Sequence, residues 1–468
     1  MSEVRGWWLP AEIRDRVGDQ SDLQVGDMKV TVPVLSPQAV RDVGRYLKQQ
    51  QERVLRDRTV QSIVDSLDAV ALAWLDDETP ERQLALRLLP RVTGFSAPMV
   101  RESIDLEQRS STATHIWRTL RSEFRDPEVL DRFVANPHLF GDGRTMAIGP
   151  ALVGAVFSSN IPALPHLTVM RSLLVKSAFW GRVSSREPTF LPLYLQTLER
   201  IDAELAGCCA SLWWPSENRE VETAFLDESS VFVGWGGVDV ERHFESAVPP
   251  GKPSIFHGHR VGFAAVDGAV ATEAIAEAIA LDVCRFDQEA CLSPQVVFCR
   301  GPMAEAMALG RSIGSAMRAV TTRLPPRRLD RGEAAAVRQF RGAAELAPTI
   351  TGGGCVVPGL HDLSWSVSVD RFDAFPMSPL HRCLSVVQID HWTDMLAMLG
   401  PMRPWLQNAA LALPDEDATP IELALARLGV SRICAPGEMA TPSMIWHHDG
   451  IACLSAMVRW CDYEDRHE

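Results

Sequence analysis

The sequence predicts an α/β protein in which helices cover a parallel sheet. Three observations carry that prediction. From residue 36 to about Phe124 the apolar spacing is helical. From Gly141-Asp142-Gly143 onward, strand-like apolar runs alternate with helical ones, the pattern of a parallel sheet. A second alternating region runs from Cys291 to about Leu428. The 468 residues suffice for two or three domains. With 46% apolar and 23% charged residues, the composition is that of a soluble globular protein.

The elements follow in order. In residues 36–78, Val40, Val43, Leu47, Val60, Ile63, Val64, Leu67 and Val70 recur at three- and four-residue steps, so this stretch reads as helix. Pro80 and Pro90 are expected to break it. More helix follows through Met99, Ile104, Ile116, Leu120 and Phe124. Residues 147–157 read as strand, 164–175 as helix, 179–183 as strand and 190–205 as helix. Residues 210–213 are short and apolar, and 221–225 are indistinct. A strand over 231–233 ends at Gly234, followed by a short helix over 238–244 and a strand over 254–266. Later come a helix over 271–283, strands over 296–298, 365–369 and 384–389, and helices over Met303–Arg323 and 391–398. In such sheets ligands bind beyond the carboxyl ends of the strands.

The formal charge of −14 argues against nucleic acid or an anionic membrane as the main partner. No run reaches the ~18 uncharged apolar residues of a membrane span, and the N-terminus has no secretory core. Ten cysteines without C-x-x-C pairs or zinc spacing suit a reducing cytosol, so a cytoplasmic location and no metal site are expected.

Five segments bear on chemistry. In Phe286-Asp287-Gln288-Glu289-Ala290-Cys291-Leu292-Ser293-Pro294-Gln295, a cysteine sits in a short polar stretch between a helical and a strand-like run. A thiol at such a boundary is placed to act as a nucleophile, whereas a core cysteine more often sits inside an apolar run. Ser158-Ser159-Asn160-Ile161-Pro162 follows a strand, where the Asn160 amide could donate to a developing oxyanion; a helix cap is the competing reading. In Gly181-Arg182-Val183-Ser184-Ser185-Arg186-Glu187-Pro188, two arginines and two serines form a set of donors for a phosphate, compatible with a turn that caps the next helix. Gly234-Trp235-Gly236-Gly237 could bring a backbone close to a phosphate at a helix N-terminus, or be a tight turn. Trp446-His447-His448-Asp449-Gly450 could do acid-base work or be a surface turn. Gly310-Arg311-Ser312-Ile313-Gly314 fits a nucleophile elbow, but a helical run precedes Ser312 where the elbow needs a strand.

In their order, Asn160-Ile161-Pro162, Leu174-Val175-Lys176-Ser177, Ser184-Ser185-Arg186-Glu187-Pro188, the Cys291 stretch and His448-Asp449-Gly450 resemble the acyl-CoA reductase family. That family is typified by the fatty-acid reductase of bacterial bioluminescence (LuxC-like), a branch of the aldehyde dehydrogenase superfamily. The resemblance implies an aldehyde dehydrogenase-like fold. Its expected parts are a helical N-terminal region (1–140), a Rossmann-like NADP(H)-binding domain (141–268), a catalytic domain with the cysteine (269–435) and a C-terminal segment (436–468). That last segment returns to the cofactor domain or an oligomer interface. It implies Cys291 as nucleophile, Asn160 as oxyanion donor, and Arg182, Ser184, Ser185, Gly234, Trp235 and Gly236 at the cofactor. Ser185 stands where NAD-preferring relatives carry a glutamate, which favours NADPH, with NADH as the alternative. The water-activating glutamate of hydrolytic relatives has no counterpart in Ile255-Phe256-His257-Gly258-His259-Arg260. A second glutamate, which positions the nicotinamide ribose, has none around Met377-Ser378-Pro379-Leu380-His381.

The expected activity is NADPH-dependent reduction of an acyl-CoA to an aldehyde through a cysteine-bound acyl group, with His448 as general acid. A carrier-protein thioester is the alternative donor, and a serine hydrolase or thioesterase using Ser312 the alternative of another class. An acyl-activating partner enzyme and a homo-oligomer are family expectations.

Overall fold

The structure, a computed structural model, describes residues 4–158, 161–351, 355–358 and 363–464; for 347–351 and 355–358 it describes the backbone alone. The chain forms two compact units. The first comprises residues 1–258 and 443–468, the second residues 259–442.

The first unit opens with a 3-10 helix, Ala11–Val17, and the hairpin Gln20–Val25 and Met28–Pro33, then five helices: Pro37–Gln50, Val60–Leu75, Pro80–Thr93, Ala97–Ser110 and Ala113–Phe124. The 36–78 run is not one helix. A π turn, Gln51–Leu55, ends the first part, and the Thr59 hydroxyl caps the second by accepting from Ser62 N at 3.2 Å. Pro80 starts a helix instead of breaking one, since a first-turn proline lacks only an N–H that would go unpaired. Pro90 lies inside that helix, in its last turn.

A five-stranded parallel sheet follows, in the order Cys209–Leu212, Ala178–Arg182, Leu152–Val156, Val231–Trp235, Ser254–His257. Residues 221–225, indistinct in the sequence, lie in the helix Arg219–Glu228, whose cap is the Asn218 carboxamide. The 147–157 run divides at Gly149-Pro150. Arg144–Ile148 pairs antiparallel with Val134–Ala135 and with Arg459–Tyr463, while Leu152–Val156 joins the parallel sheet. Pro150 cannot donate to a ladder, and a Cβ on Gly149 would meet the Val175 carbonyl oxygen at 1.8 Å. The final residues thus belong to the first unit.

The second unit is built on a seven-stranded sheet ordered Cys355–Pro358, Ser366–Asp370, Cys383–Ile389, Pro294–Arg300, Val261–Asp267, Leu406–Ala412, Arg432–Cys434. All pairs are parallel except the first. Side chains alternate between two cores. Ala264, Val266, Val297 and Cys299 pack toward Ile279, Val283, Ile313 and Met317, whereas Phe263, Ala265, Val296 and Phe298 pack toward Trp392, Met395 and Leu425. The helices Arg331–Thr351 and Asp415–Leu428 and the strand Leu406–Ala412 had no signal strong enough to place them beforehand.

Two expectations change here. Residues 254–266 are two strands, not one. Ser254–His257 pairs with Val231–Trp235, and Val261–Asp267 lies between Pro294–Arg300 and Leu406–Ala412. The boundary between the compact units accordingly falls after Gly258 and not at 268. Ser312 lies within the helix Met303–Arg323, with no strand before it and Gly310 packed against Val369, so no nucleophile elbow forms. Among the described residues no helix is long and apolar enough to cross a membrane.

Candidate active site

In the first unit, Leu152–Val156 and Val231–Trp235 are the neighbours from which the chain continues to opposite halves of the sheet. Beyond their carboxyl ends lies the crevice that a doubly wound sheet offers a ligand. Phe157 and Ser158 lead into it. Ser159 and Asn160 lie outside the described residues. The chain after them is fastened from below. Ser103 donates to the Pro162 carbonyl at 2.6 Å, and His166 Nδ1–H donates to the Ala163 carbonyl at 2.7 Å. Burial pushes His166 down to about 4, so the ring is neutral, and its Nε2 accepts from the Ser111 hydroxyl at 2.8 Å.

The expected cofactor residues share this carboxyl edge but face different ways. The Arg182 guanidinium donates to the Trp214 carbonyl at 3.0 and 3.2 Å and stacks over its ring. Ser185 is exposed and accepts from Trp213 Nε1 at 3.2 Å; Ser184 accepts from Arg186 N at 3.2 Å. Glu187, the one carboxylate of this loop, is turned inward, where it accepts from Thr189 N, Thr189 Oγ1 and Phe190 N at 2.8–2.9 Å. It therefore caps the helix Phe190–Ile201 instead of facing the crevice. Gly234 and Gly236 have packing reasons to be glycine, since a Cβ would meet Phe256 at 2.8 Å and Val240 at 2.6 Å. Gly237 opens onto free space and begins the helix Val238–Ala247, whose end no side chain caps. Uncapped N–H groups at a sheet switch point suit a dinucleotide phosphate, although Asp239 and Glu241 in the first turn weaken the attraction.

Trp235 is placed differently from the expectation of a cofactor-facing loop residue. Its buried indole donates to Thr168 Oγ1 at 3.2 Å and lies against His257, ring centroids 4.1 Å apart. Around it is a cluster that sequence reasoning saw only in part. Asp449 Oδ2 accepts from His257 Nδ1 at 3.0 Å and stands 3.8 Å from His448 Nε2. The two imidazoles lie 4.2 Å apart, and Trp446 stacks on His448 at 4.5 Å. All three side chains are nearly buried, at 3–9% exposure, which strengthens the carboxylate's hold on the rings. Asp449 and Gly450 both have positive φ, 56° and 78°, the turn that aims the carboxylate inward. The segment that follows is clasped by Glu123, whose carboxylate accepts from Cys453 N, Leu454 N and Ser455 N at 2.7–2.9 Å. His447 is exposed. His257 stood within a stretch noted only for lacking a carboxylate; the carboxylate it bonds to, Asp449, lies 192 residues away.

In the second unit Cys291 is half-buried in a turn at the amino end of Pro294–Arg300. Its loop is pinned on both flanks. The Asn408 carboxamide donates to the Leu292 carbonyl at 3.1 Å, and Gln288 Nε2 donates to the carbonyls of Pro294 at 2.8 Å and Cys383 at 2.9 Å. Gly262 lets the loop pass, because a Cβ there would meet the Ser293 carbonyl oxygen at 2.7 Å. Ahead of the cysteine, Phe286, Asp287 and Gln288 are left-handed, a conformation that costs an L-residue about 1–2 kcal/mol. Burial pushes the thiols of Cys208, Cys299 and Cys383 up to about 12 and that of Cys284 to about 11.

Residues 55–460 match the family described as acyl-CoA reductase (LuxC). Curated relatives include the long-chain acyl-protein thioester reductase of Photorhabdus laumondii, 21% identical over 450 residues, 94% of this chain and 88% of the relative. Another is long-chain acyl-protein thioester reductase 2 of Photobacterium leiognathi, 20% identical over 95% of this chain and 89% of the relative. Among solved structures, NADP-dependent glyceraldehyde-3-phosphate dehydrogenase from Bacillus halodurans superposes with a TM-score of 0.73 at 14% identity, covering 96% of each chain. An NAD-dependent benzaldehyde dehydrogenase from Corynebacterium glutamicum gives 0.72 at 14% identity over 98% of this chain and 97% of that one. The fold is thus that of the aldehyde dehydrogenases, the one the motif order implied.

Proposed function

From the premise that the chain belongs to the acyl-CoA reductase (LuxC) family, and so is an oxidoreductase, we propose that it reduces an acyl thioester to an aldehyde through an acyl group carried on Cys291. The observation that carries this reading is the pinned, half-buried Cys291 turn, set among cysteines whose burial disfavours the thiolate. Cys291 attacks the thioester carbonyl as thiolate, the C–S bond to the carrier breaks, and the carrier thiol leaves with a proton. Asn160 donates to the oxyanion; one such donor is worth roughly 10²–10³ in rate. The sequence pointed to His448 as proton donor, and the orientation of His257 by Asp449 supports this cluster as the group that holds and moves a proton. A nicotinamide cofactor, which Ser184, Ser185, Gly234 and Gly236 would hold, would supply hydride to the acyl group, and the thiohemiacetal on Cys291 collapses to aldehyde and thiol. No carboxylate in 255–260 activates water, so the acyl group is not lost as free acid.

NADPH is the cofactor this reading favours. Ser185 is neutral, Arg186 is exposed beside it, and Glu187 is committed to a helix cap. Ser185→Glu is expected to move the ratio of kcat/KM for NADPH over NADH toward NADH by about tenfold or more. An unchanged ratio would remove Ser185 from the cofactor site. The relatives are named for acyl-protein thioesters, which supports a protein-borne donor over the acyl-CoA read from the sequence. The deciding assay mixes protein with NADPH and either a long-chain acyl-CoA or the same acyl group on a carrier protein, following nicotinamide absorbance and aldehyde release. Free acid with NADPH intact would refute the proposal. Asp449→Asn is expected to lower kcat about 10²-fold while Cys291 still alkylates normally, because the imidazoles lose their orienting charge.

A further inference from the structure

The chain just ahead of Cys291 is held by a device that ordinary loop geometry does not need. Phe286, Asp287 and Gln288 have φ of 52°, 52° and 67°, and Leu380, His381 and Arg382 have φ of 67°, 57° and 61°. None of the six is glycine, the residue that takes this conformation without penalty. The two strained turns are tied together by side chains. Asp287 Oδ1 accepts from Arg382 Nε at 2.7 Å, and both groups are buried. Gln288 donates to the Cys383 carbonyl, just beyond the second turn, and to the Pro294 carbonyl, just beyond the nucleophile. Ser378 Oγ lies 3.3 Å from its Oε1 and donates to the same Cys383 carbonyl at 2.7 Å.

Gln288 is therefore attached to the chain before Cys291 and grips the chain after it. A buried carboxamide with both N–H groups bonded has one orientation, so the span it closes has little freedom. Strain of this kind persists only where surrounding bonds over-determine it, and it gathers at functional sites. We propose that Gln288 is a positioning residue for Cys291, fixing the 288–294 span so that the sulfur meets the acyl carbon in one orientation. The inference rests on the reading of Cys291 as nucleophile.

The test is Gln288→Met, which keeps the volume and removes both donors. Three quantities are measured on the full chain: kcat and KM for NADPH-dependent thioester reduction, the alkylation rate of Cys291 by iodoacetamide across pH, and Tm. The expected result is a kcat lowered roughly 10- to 100-fold with KM within about twofold, since small misplacements of reacting groups cost about that much. Alkylation should change less than about threefold, because a small diffusing reagent needs no set approach. An unchanged kcat in the folded variant overturns the proposal. So does a parallel fall of kcat and alkylation, which would mean lost thiolate chemistry instead of lost orientation. Should Gln288→Met fail to fold, Ser378→Ala loosens the same carboxamide from outside, with the same split expected at about threefold and the same outcomes against it. Cys291→Ala separates the premises: turnover retained there sinks the nucleophile itself, whereas a dead Cys291→Ala beside a fully active Gln288→Met sinks only the role of Gln288.

Discussion

Cys291→Ala is expected to abolish thioester reduction, with kcat lowered by about 10⁴-fold or more and no acyl adduct on the protein. Among the described cysteines, Cys461 is half-buried like Cys291 and most of the others are buried. Cys208, Cys209, Cys284, Cys299, Cys383 and Cys453 are buried, and burial holds the Cys434 thiol up at about 11. Reduction by the route proposed needs a thiolate, and a nucleophile displaced elsewhere would lose the flanking bonds from Gln288 and Asn408. Intact-mass measurement after incubation with a long-chain thioester, without cofactor, gives the direct reading. The unmodified chain should gain the mass of the acyl group and the variant should not. An adduct that persists in Cys291→Ala would place the nucleophile elsewhere.

Arg382→Ala is expected to give the largest loss of stability of any single change near the site. Arg382 is fully buried and donates to Asp287, to Thr321 Oγ1 at 3.2 Å and to the Leu324 carbonyl at 2.9 Å. Its removal takes the counter-charge from the Asp287 carboxylate, itself 2% exposed, leaving it the Arg327 backbone N–H at 2.9 Å, and frees a carbonyl. Breaking one side of a buried pair costs about 3–5 kcal/mol, which in a unit of this size lowers Tm by roughly 10 °C. Asp287→Asn in the same background should return part of that loss, since no bare charge remains. Thermal unfolding of the two variants checks both statements. A double variant no better than the single would mean that lost packing, not the stranded charge, sets the cost.

The sequence carried the alternation of elements after residue 141 because a period-two or a 3.6-residue apolar rhythm marks a buried face directly. It could not say which sheet buries that face. Hence 147–157 and 254–266 each read as one strand, although Gly149-Pro150 and Gly258-His259-Arg260 hand the chain from one sheet to another. The antiparallel pairing of Arg144–Ile148 with Arg459–Tyr463 spans most of the chain, and Thr145 meets Asp462 at 317 residues' separation. No local window holds that information. Cys291 was legible because its polar stretch interrupts two apolar runs. Glu187 was not legible as an inward cap, nor Trp235 as a wall of the histidine cluster, because side-chain direction depends on neighbours.

By itself, then, the order of residues determined an α/β chain, a cysteine at an element boundary, and a loop that sets two serines between Arg182 and Arg186. Only the tertiary structure decided that His257 and His448 share Asp449, that the units divide after Gly258, and that two left-handed turns grip the Cys291 loop. The reason is physical. Periodicity and turn chemistry act over a few residues, whereas a buried carboxylate or carboxamide is satisfied by whatever polar group the fold brings within about 3 Å, however distant along the chain.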